Sequence, residues 1–307
     1  MNYCVTGGAG SIGSELCRRL VRDGRSVTAL DYDEERLWEL KCELPEIEAR
    51  LYDVTDGWRI DDIAGDAEVL VNCAAKKHVH FCQDALELAM RVNSEGENNL
   101  ASWADSSGIQ HIFLSTDKAI EPHCAMGRSK RSGETHCLHH HGNVVRFGNV
   151  IGTRGSLVPA MVRYARLNKP IPITDPNMTR WFMSIDEAVD LILEACHSND
   201  KARIFHPHTL RSARVGEFID VCRELLAPDH PIEIVGPRSG ERTHEFMYHG
   251  DELVQSDDER FLMDRAKIRT LLWKSFDPNR PDCLDQPGLT VEKLRYAESV
   301  LSDRSRR

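Results

Sequence analysis

Residues 115–130, STDKAIEPHCAMGRSK, place a serine, a threonine, an aspartate and a lysine in succession, with a second lysine at position 130. Adjacent carboxyl and ammonium groups can move protons to and from a hydroxyl or an acidic C–H bond. Each needs help: a lysine acts as a base only if its pKa falls from about 10.4, and a carboxyl acts as an acid only if its pKa rises. Met126 stands four residues before Lys130. A thioether carries no ionisable proton, so Met126 cannot serve as acid or base. Proton chemistry in this stretch therefore falls to Asp117 and Lys118, with the hydroxyls of Ser115 and Thr116 beside them. Most Asp-Lys neighbours are solvated loop pairs. This one follows the apolar run HIFLST, at the strand end where open α/β sheets bind ligands.

A second motif lies at the start of the chain. VTGGAGSIGSE follows an apolar strand and opens a helix, with Gly7, Gly10 and Gly13 in GxxGxxG spacing. Gly7 permits a tight turn, Gly10 lets backbone approach a pyrophosphate, and Gly13 lets the helix sit close to the sheet. Ser11 and Ile12 open that helix, whose amide groups and dipole favour phosphate. Asp31 ends the second strand where a ribose would lie. A carboxylate there accepts from ribose hydroxyls and repels a 2′-phosphate, which selects NAD over NADP. Asp53, with Val54, is placed at the adenine edge, and the small residues Cys73, Ala74 and Ala75 let a cofactor lie against backbone. Asn93 and Ser115 are expected to complete this cofactor lining.

These groups require a scaffold that brings distant strand ends together. Apolar strands alternate with helical patterns through the first half: NYCVTG, SVTALD, EARLYDV, AEVLVNCAA, HIFLST and NVVRFGNV are read as six strands. DALELAMRVNSEGENNLASWADSSG is read as one long helix. The alternation predicts an α/β protein, a Rossmann-type doubly wound parallel sheet over residues 1–150. Residues 151–307 are irregular and proline-bearing, and are predicted to form a smaller mixed α/β substrate-binding lobe. Its helix over 185–196 is expected to pack back on the sheet.

Composition excludes several classes. A net charge of −10 argues against nucleic acid as a partner. The ten cysteines form no CxxC pair, which removes zinc-ribbon and thioredoxin-type readings and suits reduced, cytoplasmic thiols. The run HCLHHH places His136 and His140 on one helix face without an evident third ligand, so no metal is expected. The strand beginning almost at Met1 leaves no room for a signal peptide, and no apolar run reaches the roughly 18 residues of a membrane span. A soluble protein is expected, with disorder confined to SDRSRR at the end.

TGGAGSIGSELCRRL, AAKKHV, STDKAIEPHCAMGRSKR, RFGNVIGTRGSLVP, ITDPNMTRWFMSIDEAVDLIL and GPRSGERTHE occur in that order between residue 6 and about residue 245. Through them the chain resembles the extended short-chain dehydrogenase/reductases, and within them the UDP-N-acetylglucosamine 4,6-dehydratases of bacterial polysaccharide biosynthesis. Members of that group carry either tyrosine or methionine where Met126 stands. The resemblance implies three steps on one UDP-linked sugar: hydride leaves C4 to NAD, water is lost across C5 and C6, and hydride returns to C6.

In those terms Lys118 is the C5 base and Asp117 the proton shuttle at the C6 and C4 oxygens, an assignment that can also be swapped. Thr116 and Ser115 bind the C4 oxygen, and Lys130 holds the nicotinamide ribose. Lys77, His78, Met126, Asn149, Arg154, Arg180, Arg238 and Glu241 match substrate-binding positions, with arginine forks suited to a diphosphate. The relatives are commonly oligomeric, so a homo-oligomer is implied. Asn72 stands where the group has histidine, and Lys76 and His80 are additions, which opens the sugar to a nucleoside or another natural-product sugar. An NDP-sugar epimerase or oxidoreductase and a non-catalytic NAD-binding regulator are the competing readings.

Overall fold

The computed structural model describes residues 1–57, 60–226 and 228–275. SDRSRR and the end of the expected lobe lie outside the described residues. The first six strands are β1 (Asn2–Thr6), β2 (Ser26–Asp31), β3 (Glu48–Leu51), β4 (Val69–Asn72), β5 (Gln110–Thr116) and β6 (Asn143–Phe147). They are followed by β7 (Asn149–Val150), β8 (Ile171–Ile173), β9 (Thr179–Met183) and β10 (Ile204–Phe205). The last four are β11 (Ser212–Arg214), β12 (Ile232–Ile234), β13 (Phe246–His249) and β14 (Glu252–Gln255).

The central sheet runs β10-β6-β5-β4-β1-β2-β3, and its pairings are parallel. A parallel sheet needs both faces covered, because crossover helices return over them. Alternate residues divide accordingly. Tyr3, Val5 and Val71 join one core cluster with Leu16 and Leu20 of the helix Ser11–Arg22. Cys4 and Leu70 join the opposite cluster with Leu100 and Ala104 of the helix Gly96–Ser106. Each buried leucine contributes about 1.5–3 kcal/mol by leaving water. The expected doubly wound α/β sheet is the observed one, and its strand order reverses between β1 and β4.

The helix Ile185–His197 packs back on the sheet. A capping box starts it: Glu187 N donates to Ser184 Oγ at 3.2 Å and Ser184 N donates to Glu187 Oε2 at 2.9 Å. Its apolar face, Ile185, Ala188, Val189, Ile192 and Ala195, joins the core of the first helix. Arg19 ties the two helices together by donating to Asp190 at 2.8 Å. β10 then adds a seventh strand beside β6, so the second half of the chain completes the sheet of the first. The remaining lobe has its own core around Phe182, Phe218, Ile219 and Leu272, with the rings of Phe182 and Phe218 stacked at 4.1 Å.

Two elements differ from the sequence reading, for reasons of close packing. The sixth strand breaks at Gly148, where a Cβ would lie 2.5 Å from Trp181 Cβ, and the chain leaves the sheet as β7 to pair with β9. The long helix is interrupted by a π turn over Arg91–Glu95. There the backbone presses on Gly133 of the helix Ala125–His139, where a Cβ would sit 2.3 Å from Asn93 O.

Candidate active site

A cavity of about 830 Å³ opens along the carboxyl ends of the central strands, between the sheet and the smaller lobe. The glycine turn forms its floor. Gly7 adopts φ +65°, and a Cβ on it would lie 2.6 Å from Ala74 N. A Cβ on Gly13 would lie 2.2 Å from Gly7 O, so the helix start can approach the turn only without a side chain. Asp31 braces the same turn, its Oδ2 accepting from Ala9 N at 3.0 Å and its Oδ1 from Asp33 N at 3.1 Å. Burial raises the pKa of its carboxyl despite those donors. Gly10, Ser11, Ile12, Val54, Cys73, Ala74 and Ala75 line this half of the cavity. Asp53 lines it too, with one oxygen held by Thr55 N at 2.9 Å and Thr55 Oγ1 at 2.8 Å.

Asn93 does not line the cavity. It is fully buried, accepts from Lys76 N at 2.8 Å and donates to Lys76 O at 2.9 Å and Ser129 Oγ at 2.9 Å. It therefore clamps the loop after β4 onto the helix Ala125–His139, and the π turn is what aims it there. Ser115 lines the wall, but its hydroxyl is committed to Glu134 Oε1 at 2.6 Å.

The proton-moving groups sit where β5 passes into a short 3₁₀ turn, Asp117–Ala119. Asp117 is 0% exposed and lies behind the cavity wall, while Thr116 and Lys118 line it. Asp117 Oδ1 accepts from Thr116 Oγ1 at 2.8 Å and from Lys118 Nζ at 2.9 Å. Its Oδ2 is buried with no hydrogen-bond partner among the described residues. On the other side of Lys118, 3.5 Å from its Nζ, is Glu245 Oε1. Glu245 is 1% exposed, lines the cavity, and also leaves its Oε2 without a partner among the described residues.

Lys118 is thus bracketed by two buried carboxylates, and the electrostatics follow. Burial alone would lower the lysine pKa, but Asp117 and Glu245 outweigh it and raise it. The C5-base role expected of Lys118 calls for a lowered pKa, the direction that burial favours and the two carboxylates oppose. Asp117 goes up, because burial and Glu245 outweigh Lys118. Glu245 goes down in spite of burial, under Lys118, Arg180, His123 and Arg242. Burial lowers the pKa of Lys77 to about 8, and likewise that of Lys130, which is 5% exposed. Lys130 Nζ donates to Leu114 O at 2.6 Å and stands 4.3 Å from the centre of the Phe113 ring. Met126, 6% exposed, faces the cavity one helical turn away.

The remaining positions line the same cavity: Lys77, His78, Asn149, Arg154, Arg180, Arg238 and Glu241. Arg154 reaches across to the glycine turn, donating its guanidinium to Ala9 O and its backbone N to Ser11 Oγ at 3.0 Å. Lys77 Nζ donates to Arg154 O at 2.6 Å, which ties the two residues together. The His78 ring packs on Gly155, where a Cβ would lie 2.6 Å from its Cε1. Arg180 is spent on main-chain carbonyls, Thr179 O at 2.7 Å and Thr243 O at 3.1 Å. Arg238 N donates to Glu241 Oε2 at 3.0 Å, closing the loop that carries both.

Glu245 had no role in the sequence reading. Its signal was weak: a glutamate ending RTHE, just before the apolar FMY of β13. Nor was a buried cluster foreseen in which Glu97, His111 and Cys137 bring ligand-type atoms within 4.8 Å of one another. Glu97 there already accepts from His111 Nε2 at 2.7 Å and Asn72 Nδ2 at 2.6 Å, as part of a hydrogen-bonded core.

A parallel sheet in this order, with a glycine turn at its switch point and a cleft at its carboxyl edge, defines a Rossmann-type α/β protein. The chain belongs to the polysaccharide biosynthesis protein family, whose model matches residues 3–265. An uncharacterized membrane protein of Methanocaldococcus jannaschii, MJ1061, is 35% identical over 274 residues, 83% of this chain and 82% of its own. A UDP-glucose 4-epimerase of Rickettsia rickettsii is 28% identical over 278 residues, 83% of this chain and 80% of its own. Among solved structures, Pen from Bacillus thuringiensis superposes with TM-score 0.83 at 22% identity, covering 89% of this chain and 98% of its own. DesIV of Streptomyces venezuelae, a dTDP-glucose 4,6-dehydratase crystallised with NAD, gives 0.75 at 19% identity, covering 96% and 97%. These structures share the fold. Among the described residues no helix is long and apolar enough to cross a membrane.

Proposed function

We propose that the chain is an NAD-dependent nucleotide-sugar 4,6-dehydratase, acting on UDP-N-acetylglucosamine or a related UDP-linked sugar. The observation that carries this reading is Lys118, fixed between Asp117 and Glu245 at a cavity whose other wall bears methionine instead of a phenol. The family, and the dehydratase and epimerase names among relatives and structural neighbours, support the substrate class.

The residues present fit a dinucleotide. The side-chain-free floor at Gly7 and Gly13 admits a diphosphate against backbone, Asp31 retains acceptor capacity for a ribose, and Lys130, lining the same cavity, would hold the nicotinamide ribose. When bound, NAD supplies an acceptor for the C4 hydride and the donor that reduces C6. The chain's own residues move the protons. Thr116, which lines the cavity and donates to Asp117 Oδ1 at 2.8 Å, accepts the C4 hydroxyl proton as it passes its own to the buried Asp117 carboxylate. Lys118 delivers a proton to the departing C6 oxygen and is then recharged from Asp117, its hydrogen-bond partner at 2.9 Å. The Arg154 and Lys77 side of the cavity takes the sugar diphosphate.

A 4-epimerase is the second reading, favoured by the Rickettsia relatives. It needs proton exchange only at the C4 oxygen, whereas three ionisable groups converge here. Incubation of the purified protein with NAD and UDP-N-acetylglucosamine tests the two. Dehydration lowers the substrate mass by one water with no net accumulation of reduced cofactor. An unchanged mass with inverted C4 configuration would replace the proposal with the epimerase.

A further inference from the structure

A second cavity lies beside the edge strand β10, enclosed by β6, the residues just after β10 and the turn of the hairpin β13–β14. It has a volume of about 720 Å³ and shares no lining residue with the first. Three arginines and three histidines line it, against two carboxylates, Glu194 and Asp251. We infer that this cavity is a second anion site, which takes a phosphate group carried by a small molecule. It stands apart from the proposed dehydration and holds whichever sugar the first cavity accepts.

The innermost group is Arg146 of β6, only 2% exposed. Its Nε donates to Glu134 Oε1 at 2.6 Å and its Nη2 to Glu134 Oε2 at 2.5 Å. Nη1 is left to the cavity, with no acceptor among the described residues. His206 lines the same space, and its Nε2 is buried with no hydrogen-bond partner among the described residues. The Tyr248 ring, 5.3 Å away, packs on the imidazole and fixes its position. Arg203 reaches in from the rim, its guanidinium 4.8 Å from the centre of the Phe205 ring and paired with the exposed Asp200.

A buried ion pair with Glu134 explains two nitrogens of Arg146 without any ligand. It leaves two donors unexplained, one on Arg146 and one on His206. Buried polar groups are hydrogen-bonded in folded proteins, and a donor without a partner is destabilising. The carboxylates of the cavity do not fill the gap: Glu194 Oε2 is engaged by His208 Nε2 at 2.7 Å, and Asp251 is exposed on the hairpin turn. One acceptor-rich group between Arg146 and His206 satisfies both donors. A phosphate does so and keeps an oxygen for Arg203, and guanidinium groups suit its geometry. The cavity is far larger than one phosphate, so an organic body has room against Pro207 and Tyr248.

The test is equilibrium dialysis of the full chain against radiolabelled inorganic phosphate. His206→Phe keeps a ring against Tyr248 and removes the donor, so affinity should fall by about 10-fold or more. His206→Gln returns an N–H and should recover part of that loss, which a mere packing defect would not. Arg203→Ala, at the exposed rim, should cost about 2–5-fold. Arg154→Ala, in the first cavity, should leave this binding unchanged. Displacement of the label by glucose 1-phosphate at a lower concentration than by unlabelled phosphate assigns a phosphate monoester; the reverse order assigns free phosphate. Wild-type affinity in His206→Phe would overturn the inference. So would a loss confined to Arg154→Ala, which would place the phosphate in the first cavity, or the absence of saturable binding to the wild type.

Discussion

Lys118→Met keeps the length and apolar stem of the side chain and removes the ammonium from between two buried carboxylates. Asp117 and Glu245, 0% and 1% exposed, then face each other across the gap that Lys118 Nζ spans at 2.9 and 3.5 Å. Removing one partner of a buried ion pair costs about 3–5 kcal/mol, because the remaining charge is stranded. The variant can relieve this by protonating one carboxylate. Asp117 already has a raised pKa through burial and Glu245, and loses its main lowering influence when Lys118 goes. A carboxyl whose folded pKa lies above its unfolded value takes up a proton on folding, so its contribution to stability is present at low pH and is lost as pH rises. The expected deficit relative to wild type is therefore about 3–5 kcal/mol near pH 8 and smaller near pH 5, at about 1.4 kcal/mol per pKa unit. Urea unfolding of both proteins at the two pH values measures it from midpoint and slope. Adding Glu245→Gln to Lys118→Met should recover about 2 kcal/mol or more, a non-additivity expected of residues in contact. A deficit below about 1 kcal/mol near pH 8, or one that grows on acidification, would refute the bracketed-ammonium geometry.

Gly13→Ala places a methyl 2.2 Å from Gly7 O, so NAD affinity should drop by about 100-fold or more in a fluorescence titration, the clash being with backbone that cannot move aside. Ser184→Ala removes the cap that starts the helix Ile185–His197 and should cost about 1 kcal/mol in urea unfolding, with the fold retained. His206 has a buried Nε2 with no hydrogen-bond partner among the described residues, and burial lowers its pKa from 6.5 to about 4. The folded protein binds fewer protons there than the unfolded chain, so this residue's contribution to stability falls as pH drops from 6.5 toward about 4, by at most about 3 kcal/mol. His206→Asn should flatten that part of the stability-versus-pH curve; an unchanged curve would show that His206 titrates normally.

Six of the sheet's seven strands were legible in the sequence because each carried its own apolar run and each crossover its own helical period; the two-residue edge strand β10 was not. The glycine turn was legible because its constraints are local: Gly7 and Gly13 contact residues close in the chain or on the adjoining strand. What failed to show was set by contacts distant in sequence. The break at Gly148 depends on Trp181, and the π turn at Arg91–Glu95 depends on Gly133. The burial of Asn93 behind the loop after β4 follows from that turn. The proton machinery shows the same division. The Asp117–Lys118 pair could be read as a candidate, but the direction in which Lys118 shifts could not. That direction is set by how burial weighs against Asp117 and, after it, Glu245, 127 residues later on another lobe. Local spacing locates a lysine; only the tertiary neighbours say whether it is an acid or a base.

The most direct measurement of the central claim follows a single atom. UDP-N-acetylglucosamine carrying deuterium at C4 is turned over with NAD, and the label is located in the product by NMR. The expected product lacks one water and carries the deuterium at C6, with the C5 hydrogen drawn from solvent. Deuterium still bonded to C4 in a product of undiminished mass would contradict a dehydration run by Asp117 and Lys118.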